Sequence, residues 1–485
     1  MSQSRSFKVF ILSSGNFLSS IASLLSLAIL ARVFSVADYA TYRQTILAYT
    51  FAAPLLMLGL PQALYYFLPK EKERSRGLLL ENLLILSVLG AVFSLFLLLG
   101  GNRLLAWRFN NPSLADSLLI LAPYPLAMLP AATMTACLMA RDRVRQVAWF
   151  NIFSRVGMVL VVIIAALMWK TPEAAVWGTV VGAALALIPA VVLMLKATRN
   201  TGRQMSSRSM SSQVGYSVPL GLGGIVDRTA FGLDKIIVAS MCTPEIFAVY
   251  VNGAMELPLF RIVTGSMTSV LVPEMTSLCQ AGEHKKALEL MGRGACKCAL
   301  VLYPFMFALF GLAPEIMTVL FSSTYLESAL PFRLFLFLLP LRVMNFGSMF
   351  MAIGKSYILM LRALGDLLIN LGLTIVFVRM WGYLGAAVAT LVTMYLWQMP
   401  FNSYFIRKEY DVPYSQMYPL ATLGKIFGIC ALCAMVFLLK QQLSTHNVFA
   451  DLVLYGGLYG GLTLLLLIRT GLFSWRWFKR AVSGS

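Results

Sequence analysis

Apolar runs of about 18 to 25 residues recur along the whole of this chain, and a helical run of that length covers the roughly 30 Å of a bilayer's hydrocarbon. Fourteen can be marked, beginning near Val9, Gln44, Leu78, Ser117, Ala148, Ala174, Tyr216, Ile246, Ala295, Leu334, Tyr357, Leu384, Leu420 and Leu452. Backbone amides in lipid must be satisfied within the chain, so such a sequence folds as helices or as a closed barrel. The runs are continuously apolar and do not alternate, which excludes the barrel. The expected fold class is all-α, a polytopic membrane protein with about 14 transmembrane helices. Composition agrees: 59% of the 485 residues are hydrophobic and 12% charged, about half the charged share of a soluble domain. The first run follows Arg5 and Lys8 as a signal peptide would, yet it is too long for the apolar core of one and is kept as a membrane helix. The pattern is least regular from 332 to 380, where Arg342, Gly354, Arg362 and Asp366 interrupt it, and at Thr243-Pro244, read as the turn between the seventh and eighth helices.

A net charge of +19 would suggest nucleic acid for a soluble protein. Here the excess sits in short loops beside apolar runs, so no nucleic-acid partner is expected. Lys and Arg favour the side that carries the N-terminus by about three to one, with clusters at 70–76, 141–145, 196–208 and 285–297. This bias places both termini in the cytoplasm of a bacterial inner membrane. The seven cysteines lie mostly within or beside apolar runs, where a free thiol behaves as a small hydrophobe, and no disulfide framework is implied. Cys430 and Cys433 form a C-x-x-C without a redox-type context and read as core. His284 and His446 are too far apart in sequence to suggest a histidine-rich metal site.

The polar segment 196–213 reads as a cytoplasmic linker, and the stretches on either side of it echo one another. Ala31, Ser35, Tyr39, Ala40 and Tyr42 meet Ala239, Thr243, Phe247, Ala248 and Tyr250 at a constant offset, and Ala140-Arg141-Asp142-Arg143 similarly precedes the fifth helix as Ala352-Ile353-Gly354-Lys355 precedes the eleventh. The implied organisation is a six-helix lobe (1–195), the linker (196–213), a second six-helix lobe (214–410) and two further helices with a basic tail (411–485). Each lobe holds an even number of helices, so the repeat is parallel. Two such lobes enclosing a central cleft is the arrangement expected of an alternating-access transporter.

Charges inside the runs are the candidate functional residues, because an ion at the bilayer centre costs about 2.5 to 3.5 kcal/mol and is kept where it faces a wet cavity or a partner. In the seventh helix Asp227 and Asp234 share one stripe, and Arg228 and Lys235 form another about 100° round. The cations Arg155, Arg228, Lys235, Arg261 and Arg342 are candidates for a substrate path. Asp227, Asp234 and Glu256 are candidates for balancing them when no cargo is bound. Arg362 and Asp366 stand four apart on one helix face and read as a structural pair.

Three stretches resemble the multidrug/oligosaccharidyl-lipid/polysaccharide exporter superfamily, and within it the Wzx-type polysaccharide flippases. They are the turn A-x3-S/T-x3-Y/F-A-x-Y after the first and seventh helices, the stretch Tyr250-Val251-Asn252-Gly253-Ala254-Met255-Glu256-Leu257-Pro258 followed by Val272-Pro273-Glu274-Met275, and Gly385-Ala386-Ala387 after Trp381-Gly382-Tyr383. The second is also similar to the lipid II flippases, which carry an Arg a few residues after the Tyr, where this chain has Gly253. That departure argues against lipid II as cargo.

The resemblance implies two lobes in a V and a cargo of oligosaccharide on polyprenyl pyrophosphate, moved for O-antigen or exopolysaccharide synthesis. It also implies membrane lipids and a polysaccharide polymerase machinery as partners. Cationic groups in a polar cleft would hold the pyrophosphate while the tail stays in lipid. No cofactor is called for, and protons or sodium ions are the candidates for coupling. The chain is not expected to be an enzyme: a membrane glycosyltransferase or ligase would need a substantial external loop, and none is long enough. The alternative is an ion-coupled multidrug antiporter of the same superfamily, which would need acids to dominate the cleft.

Overall fold

The computed structural model describes the backbone at residues 5–255, 257–443 and 447–473, and the side chains there except at 5–14, 16, 220, 223–231, 261, 269–270, 356 and 441–442. All regular structure among these residues is helical. The first helices are α1 (Arg5–Val33), α2 (Val36–Met57), α3 (Leu60–Lys70), α4 (Ser75–Phe96), α5 (Asn102–Arg108), α6 (Leu114–Leu121), α7 (Tyr124–Ala140), α8 (Val144–Trp169), α9 (Pro172–Ala197) and α10 (Ser207–Met241). Then come α11 (Pro244–Gly253), α12 (Pro258–Gln280), α13 (His284–Gly311), α14 (Ala313–Phe321), α15 (Ala329–Leu336), α16 (Leu339–Val343), α17 (Phe346–Ala352), α18 (Ser356–Trp381), α19 (Tyr383–Val392), α20 (Met399–Tyr410), α21 (Tyr414–Met417), α22 (Leu420–Cys433), α23 (Val436–Gln442) and α24 (Val448–Arg469).

Among the described residues, 9 helical stretches are long and apolar enough to cross a membrane, and bent pairs bring the number to 12. α1, 29 residues, and α10, 35 residues, lie at the first and seventh expected spans, so the number of helices is roughly that expected. The breaks have local causes. Between α2 and α3 the chain turns through Leu58 (φ 45°) and Gly59 (φ 75°), with Pro54 before and Pro61 after. A Cβ on Gly59 would lie 2.9 Å from both Gly221 N and Ser217 O, so α10 passes directly over this break and a side chain there would hold it off. The irregular stretch around Arg342 is a span bent by 41° between α15 and α16.

The chain divides into two compact units, Met1–Ala248 and Val249–Ser485. In the first, α10 packs on α2, α3 and α4. The echoed stretches have the same local build. Ser35 Oγ accepts from Asp38 N at 3.1 Å at the start of α2, and Thr243 Oγ1 accepts from Ile246 N at 3.4 Å at the start of α11, the hydroxyl caps such positions favour. Behind these caps Ala31, Tyr39, Ala40 and Tyr42, and in the other copy Ala239, Phe247, Ala248 and Tyr250, are all buried. In the second echo the turn places Asp142 (φ 56°) and Gly354 (φ 71°) in the left-handed region, and Arg143 N donates to Leu138 O at 2.9 Å as Lys355 N donates to Phe350 O at 3.0 Å. A third echo emerges only in three dimensions: Glu71 pairs with Arg74 at 3.4 Å and Glu283 with Lys286 at 2.7 Å, both three residues apart, the first just before α4 and the second across the start of α13.

The polar segment after α9 is tied down. Gly202 N donates to Glu73 O at 2.6 Å, Gly77 N to Gly202 O at 2.9 Å, and Arg74 Nε to Gln204 O at 2.9 Å. At the centre is Glu81, a fully buried carboxylate on α4 that forms an ion pair with Arg74. It accepts from Ser206 N at 2.7 Å, Ser209 Oγ at 2.6 Å and Gln213 Nε2 at 2.9 Å. Its neighbour Asn82 donates to Leu60 O at 2.9 Å and Gln213 Oε1 at 3.1 Å. A negative group is favoured at the start of α10, where amide donors lack helical partners. Glu81→Ala would leave Ser206 N and Ser209 Oγ without this acceptor and take one partner each from Arg74 and Gln213, though Arg74 keeps Glu71 and Gln204 O and Gln213 keeps Leu78 O. The loss, on the order of 1 to 3 kcal/mol, should open Arg199 and Arg203 to trypsin, with Glu81→Gln falling between. Thermal unfolding in detergent with limited proteolysis measures this; a Glu81→Ala protein as stable and resistant as wild type would show the clasp to be idle.

Candidate functional site

Arg155 stands in the twelfth position of the 26-residue α8, about 17 Å along the axis from its first residue. Its side chain is exposed, and it enters no ion pair among the described residues. Nε donates to Ser23 Oγ on α1 at 2.7 Å. The serines of α1 stand four apart along its contact with α8: Ser19 Oγ donates to Asn151 O at 3.2 Å, and Ser23 Oγ to Ser19 O at 2.8 Å. Beyond Arg155, within reach of its charge, are the buried tyrosines Tyr42 and Tyr124. Tyr42 OH lies 3.5 Å from Thr179 Oγ1 on α9, and Tyr124 meets Tyr49 edge-on with ring centroids 4.7 Å apart. An exposed guanidinium this far into a span is unfavourable in hydrocarbon, and water or a bound anion beside it would remove that cost. A rigid fork of N–H donors beside hydroxyls suits phosphate oxygens.

All four charges of the seventh predicted helix fall on α10. Asp234 is buried at 4% exposure and Lys235 is half-buried, both in the first unit. The side chains of Asp227 and Arg228 lie outside the described set, as does that of Arg261 on the first turn of α12; Glu256 lies outside the described residues altogether. Arg342, half-buried in the second unit, lies in the last turn of α16. After it Asn345, at φ 42°, donates to Thr268 Oγ1 on α12 at 2.6 Å. The structure therefore joins Arg155 to Ser23 of α1 and sets Arg342 just beyond the bend of a broken span.

Arg362 and Asp366 form the ion pair their spacing implies, at 3.4 Å, with Gln398 Nε2 donating to Asp366 Oδ2 at 3.2 Å. Besides the short pairs Glu71–Arg74 and Glu283–Lys286, three charged pairs escaped sequence reasoning: Glu81 with Arg74, Lys355 with Glu409, and Glu315 with Lys440, the last largely buried and joining α14 to α23. Partners as distant in the chain as Glu315 and Lys440 leave no spacing signal to find.

The polysaccharide biosynthesis protein family model matches residues 29–330, a stretch that includes Arg155, α10 and the Gly253 region. The chain belongs to that family. Its fold is that of several solved transporters. The lipid II flippase MurJ in an inward closed conformation superposes with a TM-score of 0.72 at 15% identity over 95% of this chain and 99% of that one. A point mutant of the Vibrio cholerae MATE transporter VcmN gives 0.57 at 14% over 84% and 98%. A MOP superfamily transporter from Pyrococcus furiosus gives 0.57 at 13% over 84% and 96%. A search of curated protein sequences returns no match.

In this family member Gly253 closes α11 against the following helices of its unit. A Cβ there would come to 2.5 Å from both Pro331 Cγ and Ser328 O. Ser328 Oγ in turn donates to Val249 O at 2.8 Å. There is no room for the arginine that lipid II flippases place a few residues after the corresponding tyrosine. Gly253→Ala should destabilise by about 1 to 3 kcal/mol through overpacking, and Gly253→Arg should abolish folded yield. Thermal unfolding and gel-filtration recovery check this; normal recovery of Gly253→Arg would mean the packing yields freely.

Proposed function

We propose that the protein is a flippase, not an enzyme, that carries oligosaccharide on polyprenyl pyrophosphate across the bacterial cytoplasmic membrane by alternating access, for cell-surface polysaccharide such as O-antigen or exopolysaccharide. The observation that carries the reading is Arg155, an exposed cation deep in a span, held by a serine hydroxyl and without an ion pair among the described residues. Membership of a polysaccharide biosynthesis family supports the cargo class. In this reading the lobes are 1–195 and 214–410, joined by 196–213 and followed by 411–485, with both termini cytoplasmic. Arg155, Arg228, Lys235, Arg261 and Arg342 receive the pyrophosphate in turn, and Asp227, Asp234 and Glu256 balance the empty cleft. A polymerase machinery takes the product on the outer side. Each unit charge moved through the full field is worth about 2.3 kcal/mol per 100 mV, so a pyrophosphate travelling alone would couple strongly to voltage. Cations that accompany it, or inward protons or sodium ions, would change that coupling. The buried Asp234 and the fold shared with a MATE transporter support a second reading, an ion-coupled multidrug antiporter.

Transport of a fluorescent polyprenyl-pyrophosphate glycan into vesicles holding the protein tests the choice, under imposed voltage and separately under proton or sodium gradients. Loss of a charge-assisted bond of about 1.5 to 3 kcal/mol predicts that Arg155→Ala slows transport by roughly 10- to 100-fold, with Arg155→Lys intermediate. Full transport in Arg155→Ala would remove the cationic path. Efflux of cationic drugs without glycan transport would establish the antiporter instead.

A further inference from the structure

On the outer side of α8, away from Arg155, a groove of about 870 Å³ runs between α8 and α9. Arg143 and Arg145 stand at its mouth, and Trp149 and Phe153 form a stacked wall with centroids 5.5 Å apart and planes 19° from parallel. The far wall is Leu185 and Pro189 on α9. The helices close at Gly182, where a Cβ would come within 2.9 Å of Met158 Cγ, whereas a Cβ at Gly157 on the floor would have nothing within 4 Å. The groove is therefore a splay of two helices that touch at one end and part toward the basic end.

Its direction identifies the occupant. At 100° per residue, Phe153 and Gly157 lie about 160° round the helix from Arg155. The face of α8 with Ala148, Asn151, Ile152 and Arg155 is the one held by α1 through Gly15, Ser19 and Ser23. The groove thus looks away from the polar surface proposed for cargo, and its walls are open: Trp149 is 50%, Phe153 67% and Leu185 56% exposed. Such a surface in a membrane protein meets lipid tails. At the mouth neither Arg143 nor Arg145 enters an ion pair among the described residues, and with Asp142 on the same rim the lining charges leave one net positive. A basic pocket between spans at this membrane surface is suited to a phosphate headgroup.

We propose that this groove is a binding site for an anionic glycerophospholipid of the surrounding bilayer, its phosphate on Arg143 and Arg145 and one acyl chain along Trp149, Phe153 and Gly157 as a wedge between α8 and α9. The site stands whether or not the protein carries oligosaccharide. The full-length protein, stripped of lipid in detergent, is titrated with phosphatidylglycerol, phosphatidylcholine or a polyprenyl pyrophosphate and followed by native mass spectrometry and thermal unfolding. Phosphatidylglycerol should be retained and raise the unfolding temperature more than phosphatidylcholine. Arg143→Ala and Arg145→Ala should each weaken retention about fivefold, and the double arginine variant more. Gly157→Leu, which fills the floor without a clash, should abolish the temperature shift, while Lys196→Ala with Arg199→Ala, the same loss of charge beside the groove, should leave it intact. Equal effects of the two phospholipids, full retention in the double arginine variant, or loss of the shift in the Lys196 and Arg199 control would overturn the site. Displacement of phosphatidylglycerol by the polyprenyl pyrophosphate would overturn the phospholipid assignment in favour of a cargo site.

Discussion

A charge that enters hydrocarbon must take its partner with it, and most of this structure's unusual features follow from that requirement. The ion pairs Arg362–Asp366 and Glu315–Lys440 solve it locally, the first along one face of α18 and the second by joining α14 to α23. Glu81 solves it by gathering donors from Arg74, Ser206, Ser209 and Gln213 around one buried carboxylate. Replacing such a network by apolar residues can be neutral, whereas removing one member is strongly destabilising. These charges therefore specify where chain segments meet. Arg155 differs, for it is held by a neutral serine and enters no ion pair among the described residues. The same physics that makes the others structural makes this one a candidate for binding.

The repeated turns separate what a position needs from which residue supplies it. A hydroxyl at the helix start is Ser35 in one copy and Thr243 in the other, and the ring buried behind it is Tyr39 or Phe247. A left-handed residue before the next helix is Asp142 in one copy and Gly354 in the other. Asp and Gly differ in charge and size yet share tolerance of that conformation. The acid–base pair that opens a helix is Glu71 with Arg74 and again Glu283 with Lys286. The likeness between these stretches lies more in geometry than in sequence.

Length and hydropathy made the spans legible because a bilayer imposes a single dimension on them. The turn at Thr243-Pro244 and the disturbance around Arg342 were legible too, since proline and mid-span charge act within a few residues. The clasp at Glu81 was not, because its partners come from α3–α4 and from the start of α10 and its energy depends on their meeting. The segment 196–213 reads as a loose linker for the same reason: its serines and glutamine are polar in sequence, and only the fold shows that Ser206, Ser209 and Gln213 all turn to one carboxylate. Of the candidate site, the sequence marked Arg155 but not the serines of α1 that hold it, nor that the opposite face of α8 is an open groove.

The central claim is that Arg155 faces a polar opening while the other side of α8 faces lipid. A thiol reacts as thiolate, which forms where water reaches it. In protein with the seven native cysteines replaced, the rates at which a membrane-impermeant thiosulfonate modifies Arg155→Cys and Phe153→Cys in vesicles test the claim directly. The account predicts modification at 155 at least about tenfold faster than at 153, slowed by added polyprenyl pyrophosphate. Equal rates, or a faster reaction at 153, would contradict it.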